Sequence, residues 1–577
     1  MRLVKLSANK ESFHEVKFNT KGLSLIVGKK ENREDKNIRK TYNGVGKSLI
    51  IHLIHFCLGS SFNEEFQKKL PDWEFSLEFL IDEKTFISKR KTNEQDNIYL
   101  NDNKYKLKEF KKLLAYKLFN LQEEGYISFR SLISRFIRYG KQSYNNATTF
   151  IRKEQEHVNL LNNSYLLGLD INYILKKIEL KEKYDNDTKL LNTLKKDQSI
   201  KDIFFNSDTD IELLTIHLEE NIKQLEENIK NFKIADNYNQ IQIEADLLSE
   251  KLRKLNNQKI KINNHIKNID ETLKLKADIS KDKIIKIYQE AKIVFPQLVK
   301  KQLEDIENFN INIIKNRQIR LNTEKNNLEI ELKKLESQIS QIKKQYDKLI
   351  KYLGEHGALE EYTSLNQKLS DYKIELDKLK IYKQAITKFK NNLSQIEMDF
   401  KNEDIKTRNY LYNLKEEIDK NILIFKNIAN KFYENKISGI EIKNNENKNK
   451  LRFDINVKIQ GDSSDGVNEV KIFCFDWTLL LAKHNHNINC IFHDSRILSD
   501  MDPRQISTLL KLSYETSLKN NLQYILSINE NMLESAKEYL TQEEYNNIIN
   551  SNILELTDKN EKSKLLGIQI DLNYEKN

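Results

Sequence analysis

The residues with the most chemistry per position are Asn43-Gly44-Val45-Gly46-Lys47-Ser48. Small residues let successive backbone N–H groups turn inward around a β-phosphate, and a helix starting at Lys47 adds the positive end of its dipole. The Lys47 ammonium then reaches the β- and γ-phosphates, and the Ser48 hydroxyl can ligate Mg²⁺. The full phosphate-loop (P-loop) pattern has another glycine where this chain has Thr41. An ordinary glycine turn is the alternative reading. The flanks favour phosphate: the apolar run Leu23–Val27 precedes the loop and another, Leu49–Leu58, follows it, so strand, loop and helix come in the required order. Residues 29–40 form a charged insertion between strand and loop. They read as a solvated loop or as a basic flap near nucleotide or DNA.

A triphosphate site also needs an acid to hold Mg²⁺ and position water. Asn489-Cys490-Ile491-Phe492-His493-Asp494 places Asp494 at the end of a buried-strand pattern, with a helix-capping aspartate as the plainer role. Gly461-Asp462-Ser463-Ser464-Asp465-Gly466-Val467-Asn468 is a second glycine-bearing polar loop before an apolar helix. Its N–H groups suit either a phosphate or an ordinary cap. Ser499-Asp500-Met501-Asp502 follows the acidic strand, and Asn529 ends the next one. Arg130, Arg135, Arg138 and Lys141 form a basic cluster. Arg135 and Arg138 share a helix face and are read as phosphate contacts or as solvated charge.

These residues must be positioned by two regions of mixed texture. Up to about 168, strand patterns fall near Met1–Leu6, Glu15–Phe18, Leu23–Val27, Glu74–Ile81, Thr85–Arg90 and Asn97–Leu100. Helices are expected over Leu107–Phe119 and Phe129–Tyr139. From about 436, paired strands are expected at Gly439–Lys443 and Leu451–Ile459, and helices at Lys471–Ala482 and Pro503–Leu518. Buried strands are expected at Ile488–Phe492 and Gln523–Ile528, with a last strand at Gly567–Leu572. Between the two regions only Gly354, Gly357 and Pro296 interrupt the chain. Ile241, Ala245, Leu248, Leu252 and Leu255 begin one run of alternating four- and three-residue steps, and Leu328, Leu332, Leu335, Ile339 and Ile342 begin another. That spacing, with charge elsewhere, is the coiled-coil signature. The expected form is an antiparallel hairpin over 169–435 with its tip at 280–320. Matching breaks at 231–239 and 354–363 read as one hinge or as two independent loops. Each outer half of the hairpin would span roughly 90 Å.

Composition agrees with globular parts plus a long water-facing helical segment: 32% of the 577 residues are charged and 38% apolar. The net charge of +10 permits nucleic-acid contact without demanding it. Cys57, Cys474 and Cys490 lie apart in apolar runs with no CxxC, which argues against a zinc clasp or disulfide framework. No apolar run is long enough to cross a bilayer and the start lacks a signal-peptide core, so a cytoplasmic protein with no membrane partner is expected.

The order P-loop, hairpin, glycine-bearing loop, acidic strand and final strand resembles the SMC/RecN class of ABC ATPases over nearly the whole chain. More narrowly, Asn-Gly-Val-Gly-Lys-Ser after an insertion, Ile-His-Phe-Cys-Leu-Gly and Phe-His-Asp-Ser-Arg look like an uncharacterised SMC-like bacterial family of three-component, defence-type systems. The resemblance implies an α/β ABC-type head split between residues 1–168 and 436–577. It implies a homodimer in which two heads sandwich ATP and Mg²⁺, each P-loop facing the Ser464–Asn468 loop of the other. Asn43, Gly44, Gly46, Lys47 and Ser48 would then hold phosphate and Mg²⁺. Asp494 would be the Walker B acid, Ser464 and Gly466 signature residues, and Asp500 or Asp502 the D-loop aspartate. Asn529 would stand in the switch-histidine position, and Gln142 would be the Q-loop glutamine. The chain departs from the family at Ser495, where a catalytic glutamate is usual; alternatively Asp494 takes the glutamate's place and His493 the aspartate's. The signature loop is also far from Leu-Ser-Gly-Gly. Slow ATP hydrolysis is therefore expected, coupled to DNA in repair or anti-phage defence, with small accessory and effector subunits. The alternatives are an ATP-binding scaffold that hydrolyses little and a structural coiled coil with a vestigial loop. No nuclease constellation is visible, and the hairpin centre lacks the cysteines of a zinc hook.

Overall fold

The computed structural model describes residues 1–30, 44–122, 125–151, 153–196, 211–232, 238–274, 297–354, 359–461, 465–570 and 572. The insertion after Lys30, Asn43, Ser464, residues 280–296 of the expected hairpin tip, and parts of both expected breaks (233–237 and 355–358) lie outside the described residues. The chain divides into two units, Met1–Asn186 with Ser394–Asn577, and Asp187–Leu393.

The first unit opens with β1 (Arg2–Ala8), β2 (Val16–Lys17) and β3 (Gly22–Lys29), and α1 (Lys47–Cys57) follows the P-loop. Next come α2 (Glu64–Lys69), then β4 (Glu74–Ile81), β5 (Lys84–Lys91), β6 (Asn97–Leu100) and β7 (Asn103–Lys106). Helices α3 (Leu107–Phe119), α4 (Phe129–Ile133), α5 (Glu156–Leu166) and α6 (Asn172–Lys196) complete the first pass. Four long helices follow: α7 (Ile211–Lys230), α8 (Tyr238–Lys274), α9 (Gln297–Gly354) and α10 (Leu359–Asn413). The chain returns through α11 (Lys415–Phe432), β8 (Ser438–Asn444), β9 (Phe453–Ile459), α12 (Asp465–Ala482) and β10 (Cys490–His493). It ends with α13 (Pro503–Lys519), β11 (Gln523–Asn529), α14 (Glu530–Ala536), α15 (Gln542–Ile549) and β12 (Asn552–Thr557).

Two sheets build the first unit. β10, β11, β3 and β12 pair in that order, all parallel, so an N-terminal strand lies between two C-terminal ones. β3 and β11 are buried almost throughout, as their largely apolar sequences require of parallel strands covered on both faces. The antiparallel sheet β2-β1-β4-β5-β6-β7 instead alternates: Phe75, Leu77, Phe79 and Ile81 of β4 are buried and the residues between them half-buried. α1 packs against strands of both sheets. That position explains why it is apolar on nearly every side.

Three expectations change. The first unit extends beyond 168 and begins again before 436, because the roots of the long helices are anchored in it. Tyr173 of α6 stacks on Tyr410 of α10 at 4.6 Å, and Arg452 of the β8–β9 hairpin pairs with Asp404 of α10 at 2.5 Å. The last strand is β12, not Gly567–Leu572; that later stretch crosses the P-loop instead of joining a sheet. Helix α4 ends at Ile133, short of Tyr139, and residues 136–138 run beside β10 through an Ile137–Phe492 bridge.

In the second unit the long helices fold back on themselves. Lys373 and Lys380 of α10 pair with Glu226 and Glu219 of α7, so these two helices run antiparallel. Along α8, Asp246 accepts from the Tyr362 hydroxyl at 3.2 Å, and Asn257 donates to Asp377 at 2.9 Å; α8 therefore runs parallel to α10. Lys259–Glu336 and Lys325–Asp270 make α8 and α9 antiparallel. The direction reverses between α7 and α8 and again between α9 and α10, and Ile229, Leu353 and Tyr362 are buried together where the two reversals meet. The outer segments thus lie back along α10, not out as a straight two-helix lever. The physical reason is that α8 carries two contact stripes. Lys259 and Asp270 face α9, while Asp246, Arg253 and Asn257 face α10. No described helix is long and apolar enough to cross a membrane.

Candidate nucleotide site

Gly44 and Gly46 adopt φ of 86° and 108°, left-handed values that favour glycine and aim the loop backbone inward. α1 starts at once with Lys47, whose side chain is only 6% exposed. Its ammonium folds back over the end of β3, where a Cβ on Gly28 would stand 2.4 Å from Nζ. Gly28 is therefore part of the site, because any side chain there displaces the cation. Burial pushes the Lys47 pKa down to about 8, and the Asp494 carboxylate partly offsets this. Gly44, Lys47, Ser48, Ser495 and Arg496 line one cavity of about 450 Å³.

Asp494 sits just beyond β10, nearly buried. Its N–H donates to the Tyr144 hydroxyl at 2.8 Å, and its Oδ1 accepts from the Ser495 hydroxyl at 3.0 Å. His493 lies away from the cavity. Its Nδ1 pairs with the Tyr524 hydroxyl at 2.9 Å and its Nε2 with Asp476 Oδ2 at 2.7 Å. Burial depresses its pKa, against the opposing pull of Asp476, and the ring bridges Tyr524 and Asp476 inside the core. A catalytic place for His493 does not fit this geometry: the chain turns after His493, and only Asp494 is left beside Lys47.

The basic cluster is internal. Arg138 is fully buried and forks onto Asp476, with Nη2–Oδ1 at 2.7 Å, and it caps the Ala147 and Thr149 carbonyls. Arg135 is equally buried and donates to Glu154 at 2.8 Å. Arg130 donates to His55 Nδ1 at 2.7 Å. Neither phosphate contact nor solvated charge describes these three; they tie α1, the 136–150 segment and α12 together. Lys141 alone is exposed.

The remaining expected residues divide. Gln142 is exposed and lines a different depression with Asn145 and Thr148, whereas Tyr144 reaches Asp494. Asp502 caps α13, its Oδ1 accepting from Gln505 N at 2.8 Å, so its carboxylate is already committed. Asp500 is exposed and does not line the cavity. Gly466 has a packing reason: a Cβ there would meet the Asp500 carbonyl at 2.6 Å. Asn529 pairs in register with Gly28, and its Oδ1 is buried without a partner. The sequence reasoning missed Gly28, Arg496 and Lys564. Only Gly28, an isolated glycine ending an apolar strand before a glycine loop, left a readable trace.

These residues fit a Mg²⁺–nucleotide. Mg²⁺ keeps waters and takes one or two carboxylates plus substrate phosphates, which matches one hydroxyl, Ser48, and one carboxylate, Asp494. Among the described residues no cluster of three acidic, His or Cys side chains forms an all-protein metal cage.

Comparison with known proteins adds a family likeness at this point. Residues 428–570 match the family described as "Uncharacterised protein conserved in bacteria (DUF2326)". The matched window holds Gly466, Asp494 and Asn529 but not the P-loop. No curated protein matches. Among solved structures, the chain is similar to the Smc head domain with a coiled coil and joint from Pyrococcus yayanosii. The likeness covers 93% of each chain at 15% identity, with a TM-score of 0.36.

Proposed function

We propose that this chain is an SMC-like ATPase whose heads bind Mg²⁺–ATP and dimerise around it. The observation that carries the reading is the buried Lys47 ammonium, held over Gly28 at the end of β3 and paired in charge with Asp494 from the far end of the sequence. A lysine is desolvated in this way at a cost, and an incoming triphosphate offsets that cost. In this reading Lys47 and the Gly44–Lys47 backbone hold phosphate, and Ser48 and Asp494 hold Mg²⁺. Ser464 and Gly466 of a second copy would close the pocket, with Asp500 at the same junction. Bound Mg²⁺ would neutralise phosphate charge and orient the γ-phosphoryl group. The helical second unit would carry nucleotide state to DNA or to accessory and effector subunits, in repair or anti-phage defence.

A second reading, an ATP-gated scaffold with little turnover, is favoured by one observation. Ser495 lines the cavity where a second carboxylate would activate water, and its hydroxyl donates to Asp494 instead. One experiment separates the readings: titration of the full chain with Mg²⁺–ATP alongside measurement of phosphate release, with and without duplex DNA. Lys47→Ala abolishes ATP binding under both readings, and unchanged binding would overturn both. Turnover stimulated by DNA and lost in Asp494→Asn supports the ATPase; binding without turnover supports the scaffold.

A further inference from the structure

After β12 the chain makes a short turn, capped where Asn560 Oδ1 accepts from Ser563 N at 3.0 Å, and then crosses the P-loop. Three hydrogen bonds tether this strap. Leu565 N donates to the Val45 carbonyl at 3.1 Å, His14 N to the Leu565 carbonyl at 2.9 Å, and the Ser12 hydroxyl to the Leu566 carbonyl at 2.8 Å. Close approach is built in on both sides. A Cβ on Gly46 would stand 2.5 Å from Leu565 Cβ. Gly567, at φ of 65°, runs against the Ser12 carbonyl, 2.1 Å from where a Cβ would be. Past these tethers Leu566, Ile568, Ile570 and Leu572 line the same cavity as Gly44, Lys47 and Ser48.

The chemistry of the lining is divided. Lys47, Ser48, Ser495, Arg496 and Lys564 are cations and hydroxyls, the groups that suit phosphate. The strap contributes aliphatic side chains, and among the described residues the lining holds no carboxylate, amide or aromatic ring. We infer that the strap over residues 564–570 is the base-and-sugar wall of the pocket, which grips a nucleoside triphosphate by its nucleoside yet does not distinguish one purine from another. This rests on the nucleotide reading of the P-loop. Aliphatic contact gains energy from the face of a base without reading its edge. Pockets discriminate strongly only when buried polar groups would be left unpaired by the wrong ligand.

The test is calorimetric titration of the full chain with ATP, GTP and inorganic tripolyphosphate, each with Mg²⁺. ATP and GTP bind within about threefold of each other, and both at least about tenfold more tightly than tripolyphosphate. Ile568→Asp weakens both purine nucleotides by about tenfold or more and leaves tripolyphosphate binding in place, which also shows that the variant is folded. Should Ile568→Asp lose all binding, the milder Ile570→Ala decides, by weakening the nucleotides alone. The inference is overturned by equal affinity for ATP and tripolyphosphate, or by a difference of about a hundredfold between ATP and GTP. Purine affinity that stays level or rises in both variants also overturns it, because the strap is then a bystander or a blocker. Failure of the underlying nucleotide reading looks different: Lys47→Ala then leaves every titration unchanged.

Discussion

Lys47 is the residue on which most of the chemistry converges, and its depressed pKa of about 8 has a direct consequence. Triphosphate binds the charged ammonium, so ATP binding favours the protonated form. Below pH 8 the free protein already carries that proton. Above it, the proton must be taken up on binding, so ATP affinity falls as pH rises through about 8, by up to tenfold per pH unit. Calorimetry near pH 8.5 in two buffers of different ionisation enthalpy should record proton uptake; a binding heat independent of buffer would contradict the assignment. A second residue, Asp476, joins Arg138 to His493 in the fully buried core. Asp476→Ala leaves a buried guanidinium without its counter-charge, an expected loss of about 3–5 kcal/mol. Urea unfolding followed by the fluorescence of its buried neighbour Trp477 measures it. The glycine turn ahead of α1 was legible because its demands are local: small residues free to take positive φ before an apolar helix. Arg135 and Arg138 were not, since a buried arginine is written the same way as an exposed one. What buries Arg138 is Asp476, 338 residues further along the chain.

At the scale of elements, the apolar repeats of α8 and α9 correctly announced two helices that pair. They did not announce the fold-back, because a heptad pattern reports one partner and α8 has two. Asn257 and Asp377 provide the discriminating pair, 2.9 Å apart across α8 and α10. A protein with cysteines at these two positions cross-links within one chain through a short bis-maleimide. In a straight hairpin α8 would keep α9 as its partner while residue 377 stayed beside α7, out of reach of 257, and the cross-link fails. The buried cluster where the helices reverse sets a second expectation. Leu353→Ala removes a fully buried side chain and should destabilise the helical unit by about 2–5 kcal/mol, read as a lowered helical melting midpoint. The strap was half legible. Its alternation of apolar residues was plain, but alternation describes any extended segment with one buried side, and here that side faces the P-loop and not a neighbouring strand.

On the scale of the whole molecule, the proposed reading requires a second copy, since Gly466 does not line the cavity of its own chain. ATP with Mg²⁺ is therefore expected to shift the protein from monomer to dimer mass in solution, and Lys47→Ala to stay monomeric. Light scattering with and without nucleotide measures both, and a mass that ignores ATP would argue against dimerisation around the nucleotide. The parallel sheet has one more consequence, which concerns the time before any nucleotide is met. Gly22 pairs with Gln523 and Leu25 with Asn552, so β3 leaves the ribosome long before either of its neighbours exists. At ordinary rates of synthesis that wait is roughly half a minute to two minutes. Throughout it the run Leu23-Ser24-Leu25-Ile26-Val27 is an unpaired apolar strand, the kind of segment that recruits chaperones or finds wrong partners. The helical unit is built of contacts nearer in sequence and can form first. The parallel sheet of the first unit would then close only once β11 and β12 have been made.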